Sequence, residues 1–341
     1  MNRRATTLTA GIALLIALVV LAWNAPVKYI TIEPGPTFDT LGQAKGKALI
    51  TVSGAPATKS DGQLRMVTIG ELQGMSTFDV IKSWLNKNDA TVPREVLIPE
   101  GQTQQQSDQQ SADDFKSSQA SAVTVALRHQ GYPVQVKVGK VVDGMPAAGK
   151  FQVGDIITSI NGQKLLSSQD AINTIRAKPA GTSFKVDFTR NGQAQQTVVT
   201  SAAGKDGAPP QVGLELSQEQ PSPIKVTFDL DNVGGPSAGL MFTLGIIDKL
   251  DPADLTGGKI IAGTGTMDDD GNVGSIGGIP QKLVAAYDAG ARVFLTPADN
   301  CTEALGHPVK GLELVKVSTI DDALKALQQI RDGQQPALCT K

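Results

Sequence analysis

Histidine is scarce. The chain carries two, His129 and His307, in 341 residues. A Ser-His-Asp hydrolase needs one of them held beside a nucleophile. His129 closes a helical stretch and His307 precedes a proline in LGHPV, so neither has the surroundings of a catalytic base. Cysteine is as sparse, with Cys301 and Cys339 alone. That excludes a disulfide-dense scaffold, and without CxxC spacing or a neighbouring His neither cysteine suggests a metal site. No G-x-x-x-x-G-K-[ST] occurs, since the lysines that follow glycine, such as Lys205 and Lys259, precede neither Ser nor Thr, so the sequence encodes no P-loop ATPase. No cofactor is expected. A net charge of −2 offers no electrostatic footprint for nucleic acid.

What the chain does have is length and one long apolar run. With 40% hydrophobic residues, it can bury the cores of two or three domains. From Ala5 to Val27 no residue is charged, and Leu8–Trp23 is almost wholly apolar. At about 1.5 Å per residue such a helix spans a bilayer core of about 30 Å. Arg3 and Arg4 predict a cytoplasmic tip at 1–5, an anchor at 6–27, and an extracytoplasmic bulk in the cell membrane. Trp23 and Tyr29 suit the far interface. LAWNAP offers no A-x-A cleavage site, so the anchor is expected to stay in place. In that oxidising compartment Cys301 and Cys339 are expected to pair.

Residues 28–113 read as a β-rich, membrane-proximal spacer. Tyr29–Ile32 alternates and Pro34-Gly35-Pro36 breaks the strand. A short helix is expected over Phe78–Leu85, capped by Ser76, with Phe78, Ile81, Trp84 and Leu85 on one face. GQTQQQSDQQSADD (101–114) is polar and low in complexity, a linker or the frayed start of a helix running from about Asp114 to His129. Residues 114–201 form a compact module in which apolar runs alternate with Gly turns. The breaker-rich AAGKDGAPPQ (202–211) then predicts a new domain from Val212 to about 335.

MPAAGKFQVGDIITSINGQKL, followed by an amphipathic helix at 168–176, resembles a bacterial-type PDZ domain. The resemblance implies an extended peptide added to a sheet edge beside that helix. The groove is expected between the strand near Val134–Val138 and the helix face of Ala171, Ile172 and Ile175. Tyr132, Val134 and Val136 would line its other wall, with Gly131-Tyr132-Pro133 where a carboxylate-binding loop would lie.

The last domain alternates strands and helices. In it, DNVGGPSAGL places Ser237 before an apolar helical run. Taken alone, Ser237 reads as a helix N-cap, although Gly-Gly-Pro clears the space before its hydroxyl. Lys282, in GGIPQKLVAA, is the candidate proton acceptor. With Pro280 expected at the first helical position, Lys282 falls in the first turn. There the helix dipole and apolar neighbours disfavour an ammonium.

GGPSAG, then GTG, then GNVGSIGGIPQKLVAAYDAGARVFLTP resemble the proteolytic domain of Lon proteases, over about residues 212–333. The resemblance implies a Ser237–Lys282 dyad. It also implies a Thr264 hydroxyl that orients the lysine, and an oxyanion hole that uses the Ser237 N–H. Many members carry an acid three residues before the serine, where this chain has Gly234; Asp231 lies further back. Hexameric rings are a further implication of the family. The expected whole is an α+β multidomain protein with a single membrane helix, a β-rich spacer, a PDZ-like domain and a Lon-type α/β proteolytic domain. It would be an anchored serine endopeptidase acting on exported or misfolded proteins. The competing expectation is a catalytically silent PDZ adaptor or scaffold binding peptides at the cell envelope.

Overall fold

The computed structural model describes residues 3–44, 46–56, 58–204, 207–230 and 233–340. Met1 and Asn2 of the expected tip, and Asp231, lie outside the described residues. Helix α1, Arg3–Asn24, contains an apolar window at Thr6–Trp23 with mean hydropathy 2.2, none of it buried. It is the one helix among the described residues long and apolar enough to cross a membrane.

Strands β1 (Tyr29–Asp39), β2 (Ile50–Ser53) and β3 (Gln63–Leu72) follow, then helix α2 (Thr77–Trp84) and strand β4 (Ala90–Pro93). Pro34-Gly35-Pro36 does not break β1. The strand passes through with a shift of register against β3 between Pro34 and Thr37. A bulge absorbs the prolines, whose missing N–H groups a regular ladder would need. Ser76 caps α2 in a capping box with Asp79.

The glutamine-rich stretch is not a linker. Helix α3 spans Gln104–His129, started by a capping box between Thr103 and Gln106. Three Gln-to-Asp side-chain bonds at i,i+4 spacing, such as Gln104 to Asp108 at 2.8 Å, support its exposed first half. Its second half buries Phe115, Ser118, Ala122, Val125 and Ala126.

The module that follows contains β5 (Gln135–Val141), β6 (Ile156–Ile160), helix α4 (Ser168–Arg176), β7 (Ser183–Arg190) and β8 (Gln193–Thr200). Its sheet runs β8-β7-β6-β5 and ends on β9 (Leu214–Glu219), antiparallel to β5. The boundary expected at Val212 therefore lies too early, because β9 completes this module's sheet. Val212, Leu214 and Leu216 pack on its core. Asp155, 1% exposed on its side chain, is held by Arg190 at 2.7 Å.

The remainder comprises β10 (Lys225–Phe228), α5 (Gly239–Leu250), β11 (Ile260–Gly263), the small hairpin β12 (Thr266–Met267) and β13 (Val273–Gly274), α6 (Ile279–Asp288), β14 (Val293–Pro297), β15 (Glu313–Val317) and α7 (Ile320–Arg331). The segment expected as a spacer is half of this domain. One six-stranded sheet runs β15-β14-β11-β3-β1-β4. The first four strands are parallel, β1 runs antiparallel to β3, and β4 pairs antiparallel with β1 and so returns to the direction of the first four. Without β3, the fully buried Ile261 and Ala262 would lie on a bare edge. Strand β2 likewise pairs with β10. The resulting core joins Leu64 and Met66 from the N-terminal part to Leu240, Met241 and Phe242 of α5. Helix α5 is buried from Gly239 to Asp248, which explains its apolar composition all round. Cys301 and Cys339 are bonded, with Cα atoms 5.2 Å apart, and the tail is further tied by Cys339 N–H to the Leu314 carbonyl at 2.9 Å.

Candidate active site

The turn before α5 is fastened from three directions. Gly235 N–H donates to the Ser111 carbonyl of α3 at 2.8 Å. Ser118 Oγ, also on α3, donates to the Pro236 carbonyl at 2.9 Å. Gly265 N–H and Thr264 Oγ1 both donate to the Ser237 carbonyl at 3.0 Å. Gly239 allows this closeness, since a Cβ there would stand 2.7 Å from the Met267 nitrogen and 2.9 Å from Ser118 Oγ.

Ser237 is not the helix cap. The cap position falls to Ala238, with no side-chain cap bond. The ties on the Ser237 carbonyl hold it inside the turn, one residue early. Its side chain is half-buried. Among the described residues, its hydroxyl and the N–H groups of Ser237 and Ala238 have no hydrogen-bond partner.

Lys282 comes from α6. Gly278, at φ 70, turns the chain into that helix, a conformation glycine adopts without strain. The helix begins one residue earlier than expected, at Ile279, so Pro280 is its second residue. Proline is tolerated there because the first N–H groups lack partners anyway. Lys282 N–H makes the first intrahelical bond, to the Gly278 carbonyl at 3.1 Å. Its side chain is 3% exposed, and Nζ donates to Thr264 Oγ1 at 3.4 Å. Burial lowers its pKa to about 8, against a weaker upward pull from Glu303. Thr264 Oγ1 thus accepts from Lys282 and donates to the Ser237 carbonyl, linking the two segments 45 residues apart in the chain.

Three contributors escaped the sequence reading. Ser118 lies in α3, 118 residues before the Pro236 carbonyl it holds, and Ser111 lies earlier in the same helix. Asn300 clamps the approach to α6 through both Ile276 backbone groups at 2.9 Å. Each acts through a backbone contact that leaves no motif. Gly234 also has a local reason. A Cβ at this position would stand 3.0 Å from Ser111 Cβ, so α3 occupies the space that an acidic side chain would need.

The second concave feature is a cavity of about 290 Å³ in the β5–β9 module. Ala171, Ile172 and Ile175 of α4 line one wall, as expected. The opposite wall is β9, through Leu214 and Leu216, with Val212 before it. Tyr132, Val134 and Val136 are not among the lining residues. Strand β9 pairs along β5 and separates it from α4, leaving Val136 1% exposed in mid-sheet.

The two features meet at Asp268-Asp269-Asp270. Arg128 donates to the Asp269 and Asp270 carbonyls. Ser167, the α4 cap, donates to Asp270 Oδ1 at 2.6 Å, and Gln218 of β9 to Asp269 Oδ2 at 2.8 Å. Both walls of the groove therefore rest on the turn that closes the β12–β13 hairpin, a few residues from Thr264.

Fold and site define a protein that joins a PDZ domain to a proteolytic domain. Residues 105–200 match the PDZ family model. Residues 231–329 match that of the Lon protease (S16) C-terminal proteolytic domain, so the proteolytic domain is of the Lon type. Curated relatives include the Lon protease of Azospirillum brasilense, 33% identical over 136 residues, 39% of this chain and 16% of the relative. That of Phenylobacterium zucineum is 34% identical over 146 residues, 42% of this chain and 18% of the relative. The chain thus spans less than a fifth of these relatives' length. A solved PDZ domain, from the SdrC-like protein of Listeria monocytogenes, is 33% identical and covers 24% of this chain and 85% of that one, with a TM-score of 0.23.

Proposed function

We propose that this protein is a membrane-anchored, extracytoplasmic serine endopeptidase with a Ser237–Lys282 dyad. The carrying observation is the buried Lys282, with its pKa lowered to about 8 and its Nζ hydrogen-bonded to Thr264, which also holds the nucleophile's carbonyl. A lysine serves as a base only when neutral, and this environment favours the neutral amine.

Ser237 Oγ attacks the scissile carbonyl carbon while its proton passes to Lys282 Nζ. The oxyanion is met by the unpartnered N–H of Ser237, with that of Ala238 beside it. Collapse expels the amine, which takes the proton from the Lys282 ammonium, and leaves an acyl-Ser237 ester. Water, deprotonated by Lys282, attacks the ester carbonyl; the bond from the acyl carbon to Ser237 Oγ then breaks, the acyl fragment leaves as a carboxylic acid, and the Lys282 proton returns to Ser237 Oγ. The cavity between α4 and β9 is apolar enough to take the side chains of an extended segment or C-terminus of an exported or misfolded protein. Helix α1 is the anchor. A homo-oligomeric ring rests on family resemblance.

The test compares cleavage of an unfolded protein by the full chain with that by Ser237→Ala and Lys282→Ala. Loss in both variants supports the dyad, and equal activity in all three overturns it. The silent-adaptor reading draws on the absence of a Ser237–Lys282 hydrogen bond. It predicts no cleavage by the unaltered chain, although catalytic contacts often close only around substrate.

A further inference from the structure

We infer that α2 is a second membrane-contacting element, lying in the bilayer interface beside the point where the anchor emerges. The inference rests on the reading of α1 as a membrane span.

Helix α2 buries Val80 and Ser83, and beside the exposed Asp79 and Lys82 its large apolar side chains face outward. Inward, it places Ser83, 6% exposed, whose Oγ accepts hydrogen bonds from Thr31 Oγ1 at 3.0 Å and Thr91 Oγ1 at 3.1 Å. Outward lie Phe78, Ile81, Trp84 and Leu85, 44%, 39%, 71% and 81% exposed. A helix on a soluble surface has the reverse arrangement. Here the capping box and the bonds of Ser83 lock the orientation, so these four side chains cannot turn inward. Four large apolar groups on two helical turns form a contiguous patch of the sort that marks an interaction surface.

Continuity with α1 identifies the occupant as lipid. Val27 N–H donates to the Met75 carbonyl at 3.0 Å, and Thr77 N–H to the Ala25 carbonyl at 3.2 Å. The start of α2 is thereby tied to the first residues after the anchor. The Trp23 ring, at the end of the apolar window, lies 5.4 Å from that of Phe78. The exposed apolar surface therefore runs unbroken from the span onto α2. Eight residues at about 1.5 Å extend it roughly 12 Å sideways. An interfacial helix buries its apolar face about 5–10 Å into the headgroup boundary. Lys82 and Lys87, both exposed, can reach back to the headgroups. The seat is close to the dyad, because Gln281, next to Lys282, donates through Nε2 to the Asn88 carbonyl in the loop after α2, at 3.3 Å.

The chain's two tryptophans, Trp23 and Trp84, give a direct test. Trp84→Phe leaves Trp23 as the reporter of the anchor; Trp23→Phe leaves Trp84 as the reporter of α2. Each full-length variant is reconstituted into phosphatidylcholine–phosphatidylglycerol vesicles with plain or brominated acyl chains. Bromine near the headgroup end is expected to quench Trp84 by at least about half, as burial in the interface requires. Adding Leu85→Glu to the Trp84 reporter should restore emission while leaving the circular dichroism unchanged. If Trp23 is quenched and Trp84 is not, α2 does not touch lipid, and a second protein copy or water covers it; the anchor stands. If neither is quenched, the anchor reading and this inference both fall.

Discussion

If Lys282 is the base, activity follows its deprotonation. With its pKa lowered from 10.5 to about 8, the neutral amine makes up about a tenth of the population at pH 7 and about nine-tenths at pH 9. An ordinary lysine would be neutral in only roughly 0.03% of molecules at pH 7, so burial raises the reactive fraction about 300-fold. Acylation of Ser237 by a serine-directed reactive probe reads the first step without knowledge of the natural substrate. Its second-order rate should rise tenfold per pH unit below pH 7, level off above pH 9, and have its midpoint near 8. Glu303 pulls the lysine upward, so Glu303→Gln should move the midpoint down. A flat profile, or a midpoint near 10.5, would refute the assignment of Lys282 as base.

The same burial affects stability. A lysine whose pKa is lowered by folding destabilises the fold below about pH 8, and the penalty disappears as pH rises from 8 to 10.5. Lys282→Met should therefore resist urea better at pH 7 by up to about 3 kcal/mol, a gap that closes by pH 10.5 in dichroism-monitored melts. Thr264→Val removes the bond to the Ser237 carbonyl and the one hydrogen-bond partner of Lys282 Nζ among the described residues, worth about 1.5–3 kcal/mol, or roughly 10–100-fold in acylation rate; Thr264→Ser should retain most of it. Gly234→Asp should slow acylation by pressing on Ser111 of α3, and hydrogen exchange at the Gly235 amide should rise with it. Ile172→Asp places a charge in the groove between α4 and β9. It should abolish capture of a peptide with an apolar C-terminus, seen by anisotropy, while small-probe acylation of Ser237 is unchanged.

Local patterns carried much of the molecule. An uncharged run from Ala5 to Val27 is long enough to be a membrane helix whatever it packs against. Ser76 could be read as the start of α2 because a cap is a contact between near neighbours. Motifs around Ser237 and Lys282 resemble those of a family's proteolytic domain, so the two segments stood out though the chain separates them. The sequence could not show Ser237 failing to cap α5, since the bonds that hold its carbonyl come from Thr264 and Gly265.

The remainder required the tertiary structure, because each missing piece is a pairing between distant segments. Residues 28–113 read as a spacer because a strand's partner is not written in its own residues. Only the assembled sheet shows β3 against β11, and so shows that the N-terminal part completes the proteolytic domain. Strand β9 looked like the start of a new domain because AAGKDGAPPQ breaks the chain before it. In space it returns to β5 and takes the place beside α4 expected for Val134–Val138. The lowered pKa of Lys282 also belongs to the tertiary level. The sequence placed a lysine in an apolar first turn, but burial to 3% exposure, with Nζ bonded to Thr264, comes from packing that the chain's local order does not specify.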